Sequence, residues 1–167
     1  FKYGLGANEA AAATTSLYTG VTGFNTASKS AQANLVSTTA KLEALGVSSR
    51  DTADIIQMMS RSFGMTHEQG LQVVKDLEQF AANTGQASGE VVAGFNKASK
   101  YLAIFGKKAK KVYMDTSKLA RALGADTNEL INAMKQYDRF DTAAESVAGL
   151  NAILGGSYLN TMDMVME

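Results

Sequence analysis

Residues that could carry acid–base or nucleophilic chemistry are few in this chain, and they stand apart from one another. The 167 residues include no cysteine and one histidine, His67, which directly precedes Glu68. Adjacent side chains on a helix do not face each other, so this pair is not suited to act as a proton relay. The lack of cysteine excludes disulfides, thiolate catalysis and cysteine-ligated zinc. We interpret His67 as an exposed residue in the first turn of a helix.

Two pairs of aspartates have a spacing that places both carboxylates on one face of a helix. They are Asp51 with Asp54 and Asp138 with Asp141. Neither aromatic subsites nor histidines accompany them, so surface or capping roles are favoured over catalysis by paired carboxylates. The G-x-G in "YGLGANEA" follows no predicted strand, and no calcium-binding loop occurs. We therefore predict that the chain is not an enzyme and that it holds no cofactor and no metal ion.

Positive charge is concentrated in residues 97–121, which hold eight cations against one acid, Asp115, in a chain of zero formal net charge. We call these cations the basic stripe and treat them as a candidate interaction surface: Lys97, Lys100, Lys107, Lys108, Lys110, Lys111, Lys118 and Arg121. Cations are unfavourable at the start of a helix. Either one helix therefore runs through Gly106, or the lysines meet a partner. A solvated face, an acidic protein surface and a nucleic-acid backbone all remain open as interpretations.

Three aromatic residues are interleaved with the basic stripe, namely Tyr101, Phe105 and Tyr113. Aromatic side chains beside cations can stack on the bases of a nucleic acid. Their spacing favours packing between helices instead, and we expect them to pack.

Apolar residues recur at steps of three and four from Leu35 onward, which is the period of helices buried on one side. Clear sets are Ala31, Leu35, Thr38, Leu42 and Leu45, then Ile55, Ile56, Met59 and Phe63, and then Leu130, Ile131, Met134 and Tyr137. The alternation typical of strands is almost absent, and the chain contains no proline. The sequence therefore predicts an all-α fold, an array or bundle of short helices.

Glycines and capping residues predict where these helices end and begin. Gly46, Gly64, Gly85, Gly106 and Gly124 recur every 18 to 21 residues, and glycine closes the last turn of a helix cheaply. Thr66 with Gln69 and Asp126 with Glu129 form capping boxes, Ser48 with Asp51 forms a weaker one, and Ser88 and Asp141 are single caps. We expect short helices joined by tight turns.

The first part of the chain differs from the remainder in composition. Residues 1–34 are rich in Ala, Thr, Ser and Gly and contain few large apolar side chains. We expect this low-complexity lead to be extended, or helical against a partner, and residues 35–167 to form a compact helical region. Because the chain opens with Phe1 and stops within an apolar-rich stretch, we expect it to be an interior piece of a longer protein.

Three phrases in the second half of the chain carry a family resemblance: "GFNKASKYLAIFGKKAKKVY", "LGADTNELINAM" and "AAESVAGLNAILGG". In them the chain resembles internal segments of bacteriophage tail tape-measure proteins. The resemblance implies a helical virion protein that sets tail length, engages the tail tube and baseplate hub, and takes part in genome ejection. It also implies a homo-oligomer of a few copies, located in the tail lumen or baseplate and, during assembly, in the host cytoplasm.

Two other functions remain open from the sequence. One is a helical cell-wall-active domain used during phage penetration, which would need an acidic residue with a raised pKa in a cleft. The other is a membrane-active helical segment that unfolds to insert, although the apolar stretch 147–154 is too short to span a bilayer alone. Transient contact with DNA or with a membrane is compatible with the tape-measure resemblance.

Overall fold

The fold is all-α, as the periodicity predicts. The computed structural model describes residues 6–135, except for the side chains of Ile104 and residues 132–135. Within that range it contains no strand and seven α-helices: α1 (Ala7–Gly20), α2 (Lys29–Ala44), α3 (Ser49–Phe63), α4 (His67–Thr84), α5 (Ser88–Leu102), α6 (Ala109–Leu123) and α7 (Thr127–Lys135). Short 3-10 segments precede α2 (Phe24–Thr26) and α6 (Ala103–Lys108). The aspartate pair 138 and 141 and the cap at 141 lie outside the described residues.

The chain divides into two compact units, Phe1–Asn96 and Lys97–Glu167, and the division falls within α5. The low-complexity lead belongs to the first unit, where it forms α1 and the beginning of α2. Ala13 and Leu17 of α1 are fully buried, and α1 packs against α2 and α3. Ala13 and Leu17 of the lead thus pack within the same chain.

The core of the first unit forms where α1 to α4 pack, with α3 against both α1 and α4. Its largest fully buried side chains are Leu17, Phe24, Leu35, Ile55, Ile56, Met59, Leu77 and Phe95. Helices α3 and α4 approach closely at Gly70, where an added Cβ would lie 3.0 Å from the Ile56 Cα. Leu45 was predicted to continue the buried stripe of α2 and is instead 58% exposed, because the helix ends at Ala44.

Four of the recurring glycines form similar turns at the ends of helices, as predicted. Gly46, Gly64, Gly85 and Gly124 have φ of 95°, 65°, 69° and 68°, in the left-handed region that glycine adopts cheaply. The residues after three of them, Val47, Gln86 and Ala125, donate their backbone N–H to the carbonyl five residues back, at 2.9, 2.9 and 2.8 Å. These bonds satisfy carbonyls that the end of a helix would otherwise leave unpaired.

The capping predictions are confirmed at α3 and α4, confirmed at α7 for the Asp126 side chain, and wrong at α5. Thr66 and Gln69 form the reciprocal capping box of α4, and Ser48 caps α3 through the N–H groups of Arg50 and Asp51. The Asp126 Oδ1 atom accepts from the N–H groups of Asn128 and Glu129 at 2.8 and 3.1 Å. Ser88, predicted as a cap, is instead the first residue of α5. The N–H of Val91 pairs at 3.1 Å with the carbonyl of Ala87, so the helix begins one residue earlier than a Ser88 cap would allow.

Candidate interaction surface

Helix α6 of the second unit has one buried face and one basic face. The residues that it buries are Ala109, Val112, Tyr113, Asp115, Thr116, Ser117, Leu119 and Ala120. A turn of about 100° per residue places Lys110, Arg121, Lys118 and Lys111 in that order within an arc of about 100°. Lys111, Lys118 and Arg121 are exposed and Lys110 is half-buried. The basic residues of α6 therefore share one side of the helix.

The start of α6 shows whether one helix runs through Gly106. Gly106 has φ 59° and ψ −133°, so the helical path is broken there and one helix does not run through it. Lys107 and Lys108 lie exposed in the 3-10 segment, and Lys108 is the N-cap of α6, where no side chain caps the helix. Lysines therefore surround the positive end of the helix dipole, an arrangement that is unfavourable in isolation.

Asp115 is the one acid within the basic stripe, and its position is largely internal. The Lys111 Nζ atom lies 2.9 Å from the Asp115 Oδ2 atom, one helical turn away. The Asp115 side chain is 8% exposed, whereas that of Lys111 is 47% exposed. The Asp115 carboxylate therefore pairs with Lys111 and contributes little negative charge to the outer surface.

The remaining cations of the stripe lie on α5, before the break at Gly106. Lys97 and Lys100 are exposed and three residues apart, so they share a face of that helix. The Lys100 Nζ atom lies 4.9 Å from the centre of the Tyr101 ring, within the range of a cation–π contact. The predicted stripe thus consists of a basic face along α6, two lysines at the start of that helix and a separate pair on α5.

The aromatic residues of this segment are inside or at the edge of the unit, as predicted from their spacing. Tyr113 is 3% exposed, and Tyr101 and Phe105 are half-buried. Burial raises the pKa of Tyr113 to about 12, and the negative charge of Asp126 adds to the increase. Tyr113 therefore packs as a neutral side chain and cannot stack on a base.

His67 occupies the first turn of α4, as predicted, but its side chain is half-buried and attached to a distant turn. The His67 Nε2 atom lies 3.1 Å from the carbonyl oxygen of Thr22. Gln57 binds the same residue, accepting from the Thr22 N–H and donating to its hydroxyl, both at 2.8 Å. His67 and Gln57 therefore fasten the turn between α1 and α2, a role that no local spacing indicates.

The first aspartate pair also has a structural role that the sequence did not indicate. The Asn96 side-chain amide donates to Asp51 Oδ1 at 2.8 Å and to Asp54 Oδ2 at 3.2 Å. One amide thus joins α5 to both carboxylates of α3. Among residues 6–135, no group of three or more His, Cys, Asp or Glu side chains is placed to hold a metal ion. None of the described helices is long and apolar enough to cross a membrane.

The fold and its surface define an all-α protein with a one-sided basic helix. No family model matches the chain, and no curated protein or solved structure shows significant similarity to it. Its function is therefore inferred from its own residues and geometry, together with the phrases that resemble tape-measure proteins.

Proposed function

We propose that this chain is a structural, non-catalytic segment of a bacteriophage tail tape-measure protein. Its task is to contact other tail components, with the tail tube and the baseplate hub as partners and a few copies in each tail. It acts in the tail lumen or at the baseplate, and it is in the host cytoplasm during assembly. The three phrases quoted above support the family, and the all-α fold is compatible with it.

The observation that carries the contact role is the two-sided character of α6. One side of the helix is buried in its own unit, whereas the other presents Lys110, Lys111, Lys118 and Arg121 within a narrow arc. Lys107 and Lys108 add charge at the end where the helix dipole opposes it. A negatively charged partner would relieve that repulsion, so Lys107 and Lys108 are better explained by contact than by folding.

The frequent turns favour a docking role over that of a continuous ruler. A rod would need an apolar seam sustained over several heptads, and the left-handed glycines interrupt the helices at Gly46, Gly64, Gly85 and Gly124. The segment therefore forms a folded region of the tape measure that engages the hub or takes part in ejection.

The first test is tail length, measured by electron microscopy in a phage with residues 36–154 deleted in frame. Tails of normal length with reduced infectivity would support docking at the hub or a role in ejection. Tails shorter by about 180 Å, which is the helical length of the deleted residues, would instead make the region part of the ruler. Normal length with normal infectivity would contradict the proposal.

The second test reverses charge on the basic stripe without deleting any part of the fold. Changing the exposed residues Lys97, Lys100, Lys107 and Lys108 to Glu keeps the Lys111–Asp115 ion pair and should lower the yield of complete particles. The matched control changes four exposed cations of the first unit, Lys29, Arg50, Arg61 and Lys75, to Glu. If both variants assemble equally well, the stripe is not a contact surface.

A further inference from the structure

We infer that residues 88–123 have a second state, in which α5 and α6 form one continuous helix that associates with a second copy of this chain. In the structure the same residues are divided at Gly106 into α5, a 3-10 segment and α6. The inference describes how copies of the chain meet, and it rests on the proposed function in taking a few copies to lie together. Three features carry it: a row of apolar residues, the position of the cations and the nature of the break.

The apolar residues of α5 and α6 form a single row that keeps its phase across Gly106. They alternate at steps of four and three residues over more than four heptads, at the positions that heptad notation calls d and a. Before Gly106 the row contains Val91, Phe95, Ala98, Leu102 and Phe105. After Gly106 it continues in the same phase with Ala109, Val112, Thr116, Leu119 and Leu123. We call this row the heptad seam, because a repeat kept over such a length is typical of helices that pack along one another.

The cations of the basic stripe occupy the outer side of the same continuous helix. Seven of the eight lie at heptad positions b, c and f, which point away from a seam of a and d residues, and Lys108 lies at g. Lys97 and Lys100 of α5 thereby come into line with the cations of α6. The ten e and g positions beside the seam contain one further charge, Asp115, of opposite sign to Lys108. The charges of the segment thus leave the heptad seam open to a second copy.

The break between the two helices depends on one residue. Gly106 has φ 59° and ψ −133°, and it is the residue of the 3-10 segment whose backbone angles are not helical. Leu102, Lys108 and Ala109 on either side of it have right-handed helical angles. A rotation at Gly106, with small adjustments in the 3-10 turn, therefore makes the path helical over residues 88–123. The resulting helix is about 54 Å long, at 1.5 Å per residue.

The break also lacks the cap that other helix starts have. At α3, α4 and α7 a side chain accepts from the first backbone N–H groups of the helix, whereas Lys108, the N-cap of α6, provides no such bond. Lys107 and Lys108 lie at the positive end of the α6 dipole, where cations are unfavourable. In a continuous helix both become interior residues, and lysine is a good helix former there. Joining the helices therefore removes the unfavourable charges from a helix end.

The heptad seam explains why the continuous helix takes a second copy as its partner. Phe95 and Leu102 are fully buried and Val112 is 3% exposed, so a lone continuous helix would expose them to water. An identical helix carries the same row of a and d residues and buries them in return. The two states thus exchange burial within one chain for burial between copies. The balance between them depends on the concentration of the chain.

The main variant for the test is Gly106→Ala in the whole chain, residues 1–167. Alanine is strained at the backbone angles of Gly106 and is favoured over glycine inside a helix. An added Cβ meets no atom within 4 Å, so the substitution acts through the backbone and not through a clash. We expect the dissociation constant of the dimer, measured by analytical ultracentrifugation, to fall by about 100-fold relative to the unmodified chain.

The matched control is Gly124→Ala, in the same unit. Gly124 has φ 68° and open space around an added Cβ, so alanine is strained there as well. The next position of the heptad seam is Asp126, which caps α7, so joining α6 to α7 would bury no apolar residue there. We expect the dissociation constant of this variant to stay within about threefold of the unmodified chain. Circular dichroism verifies that both variants fold.

A distance measurement shows whether the two helices have joined. The chain contains no cysteine, so spin labels can be attached at Lys97→Cys and Ala122→Cys, both at exposed positions. In a continuous helix these residues lie on one side and about 38 Å apart along the axis. Double electron–electron resonance should show this distance in Gly106→Ala. The unmodified chain should show a shorter distance when dilute, because its path bends at Gly106, and a growing population at about 38 Å as its concentration rises.

A second variant tests the heptad seam without changing the break, and it keeps the test decisive if Gly106→Ala does not fold. Phe105 is half-buried in the structure and lies at the centre of the seam, so Phe105→Gln should weaken association of the unmodified chain by about 100-fold. Phe63→Gln, at a half-buried residue at the end of α3, is the control and should leave association within about threefold.

Several outcomes would overturn the inference. It fails if Gly106→Ala stays monomeric, or if it associates while the distance between the labels is unchanged. A distance of about 38 Å in a monomer would mean that the seam does not take a second copy, and the inference fails in that case too. Equal changes in Gly106→Ala and Gly124→Ala, or in Phe105→Gln and Phe63→Gln, would also contradict it.

The inference and the proposed function fail separately. Reduced particle yield in the charge-reversed phage, with a purified chain that never associates, would leave the proposed function standing and refute only this inference. Association through the heptad seam, with normal tails and normal infectivity in the deletion phage, would leave the two states of residues 88–123 standing and refute the proposed function.

Discussion

The two units use their polar side chains differently. In the first unit, half-buried polar groups hold separate segments together: Asn96 joins α5 to Asp51 and Asp54, and His67 holds the carbonyl of Thr22 in the turn between α1 and α2. Residues 1–96 contain six cations and eight acids, so opposite charges are nearly balanced there. Asn96 and His67 therefore serve to position segments of this unit.

In the second unit the charges of residues 97–121 are turned outward and are nearly all of one sign. This segment holds eight cations and one acid, and seven of the cations are exposed while Lys110 is half-buried. The role of a charged residue therefore depends on the groups that surround its side chain. Five predictions test this contrast, and they are ordered by expected effect.

The largest expected effect is in the first unit, where the low-complexity lead contributes to the core. Leu17 of α1 is fully buried, so Leu17→Ala should lower the free energy of unfolding by about 3 kcal/mol. The same substitution at Leu45, which is 58% exposed, serves as the control and should change it by less than about 0.5 kcal/mol. Urea unfolding followed by circular dichroism measures both. If Leu17→Ala lowers the free energy of unfolding no more than the control does, α1 does not belong to the core.

Tyr113 makes the second unit sensitive to alkali. Its pKa is raised to about 12 from the ordinary 10.0, mainly by burial, so the folded state retains the proton more tightly than the unfolded state. The resulting stability is fully present below pH 10 and is lost as the pH rises through about 12, with a total loss of about 2.7 kcal/mol. The free energy of unfolding, measured across this pH range, should fall less steeply in Tyr113→Phe. The control Tyr18→Phe, at an exposed residue, should keep the full dependence.

Asn96 tests whether polar bridges hold the first unit together. Asn96→Ala removes the amide shared by Asp51 and Asp54 and leaves two carboxylates side by side. We expect the free energy of unfolding to fall by about 1.5 kcal/mol, as for hydrogen bonds to charged groups. Asn83→Ala, at an exposed residue of α4, is the control and should cost less than about 0.5 kcal/mol. If Asn96→Ala costs no more than the control, the bridge is not stabilising.

The cap of α7 should have a smaller effect in the second unit. Asp126 accepts from two backbone N–H groups, so Asp126→Ala should cost about 1 kcal/mol. Asp126→Asn keeps the accepting oxygen and should recover most of that loss. Chemical denaturation of the three proteins provides the measurement. No change in Asp126→Ala would indicate that α7 begins elsewhere.

The smallest expected effect on stability concerns the basic stripe itself. Changing Lys107 and Lys108 to Gln removes two cations at the positive end of α6, so stability should stay the same or rise by up to about 0.5 kcal/mol. Thermal melts of the variant and the unmodified chain measure the difference. A loss above about 1 kcal/mol would show that these lysines stabilise the fold, and the contrast between the two units would no longer hold.

Local signals predicted much of the fold. Gly64, Gly124 and the Thr66–Gln69 capping box lie where the sequence placed them, because helix ends depend on residues within one turn. The incorrect predictions also concern ends: Leu45 lies beyond α2, and Ser88 lies one residue inside α5. Hydrophobic periodicity alone does not show where a helix stops. The predictions therefore place Leu45 inside α2 and Ser88 before the first turn of α5.

The candidate surface was predictable in composition and only partly in geometry. A count of charges identifies the cations of residues 97–121. Their alignment on one face depends on where α6 begins, and the sequence left open whether a helix runs through Gly106. The backbone at Gly106, with ψ −133°, excludes that continuous helix.

By itself the sequence determined the all-α fold, several helix ends and the concentration of positive charge. Each of these depends on residue type and on spacing within a few residues. The tertiary structure alone decided that Thr22 meets Gln57 and His67, and that Asn96 meets Asp51 and Asp54. These partners are 35 to 45 residues apart along the chain, so they meet only after helices have packed. Packing depends on how whole faces fit together, and short-range spacing does not encode that fit.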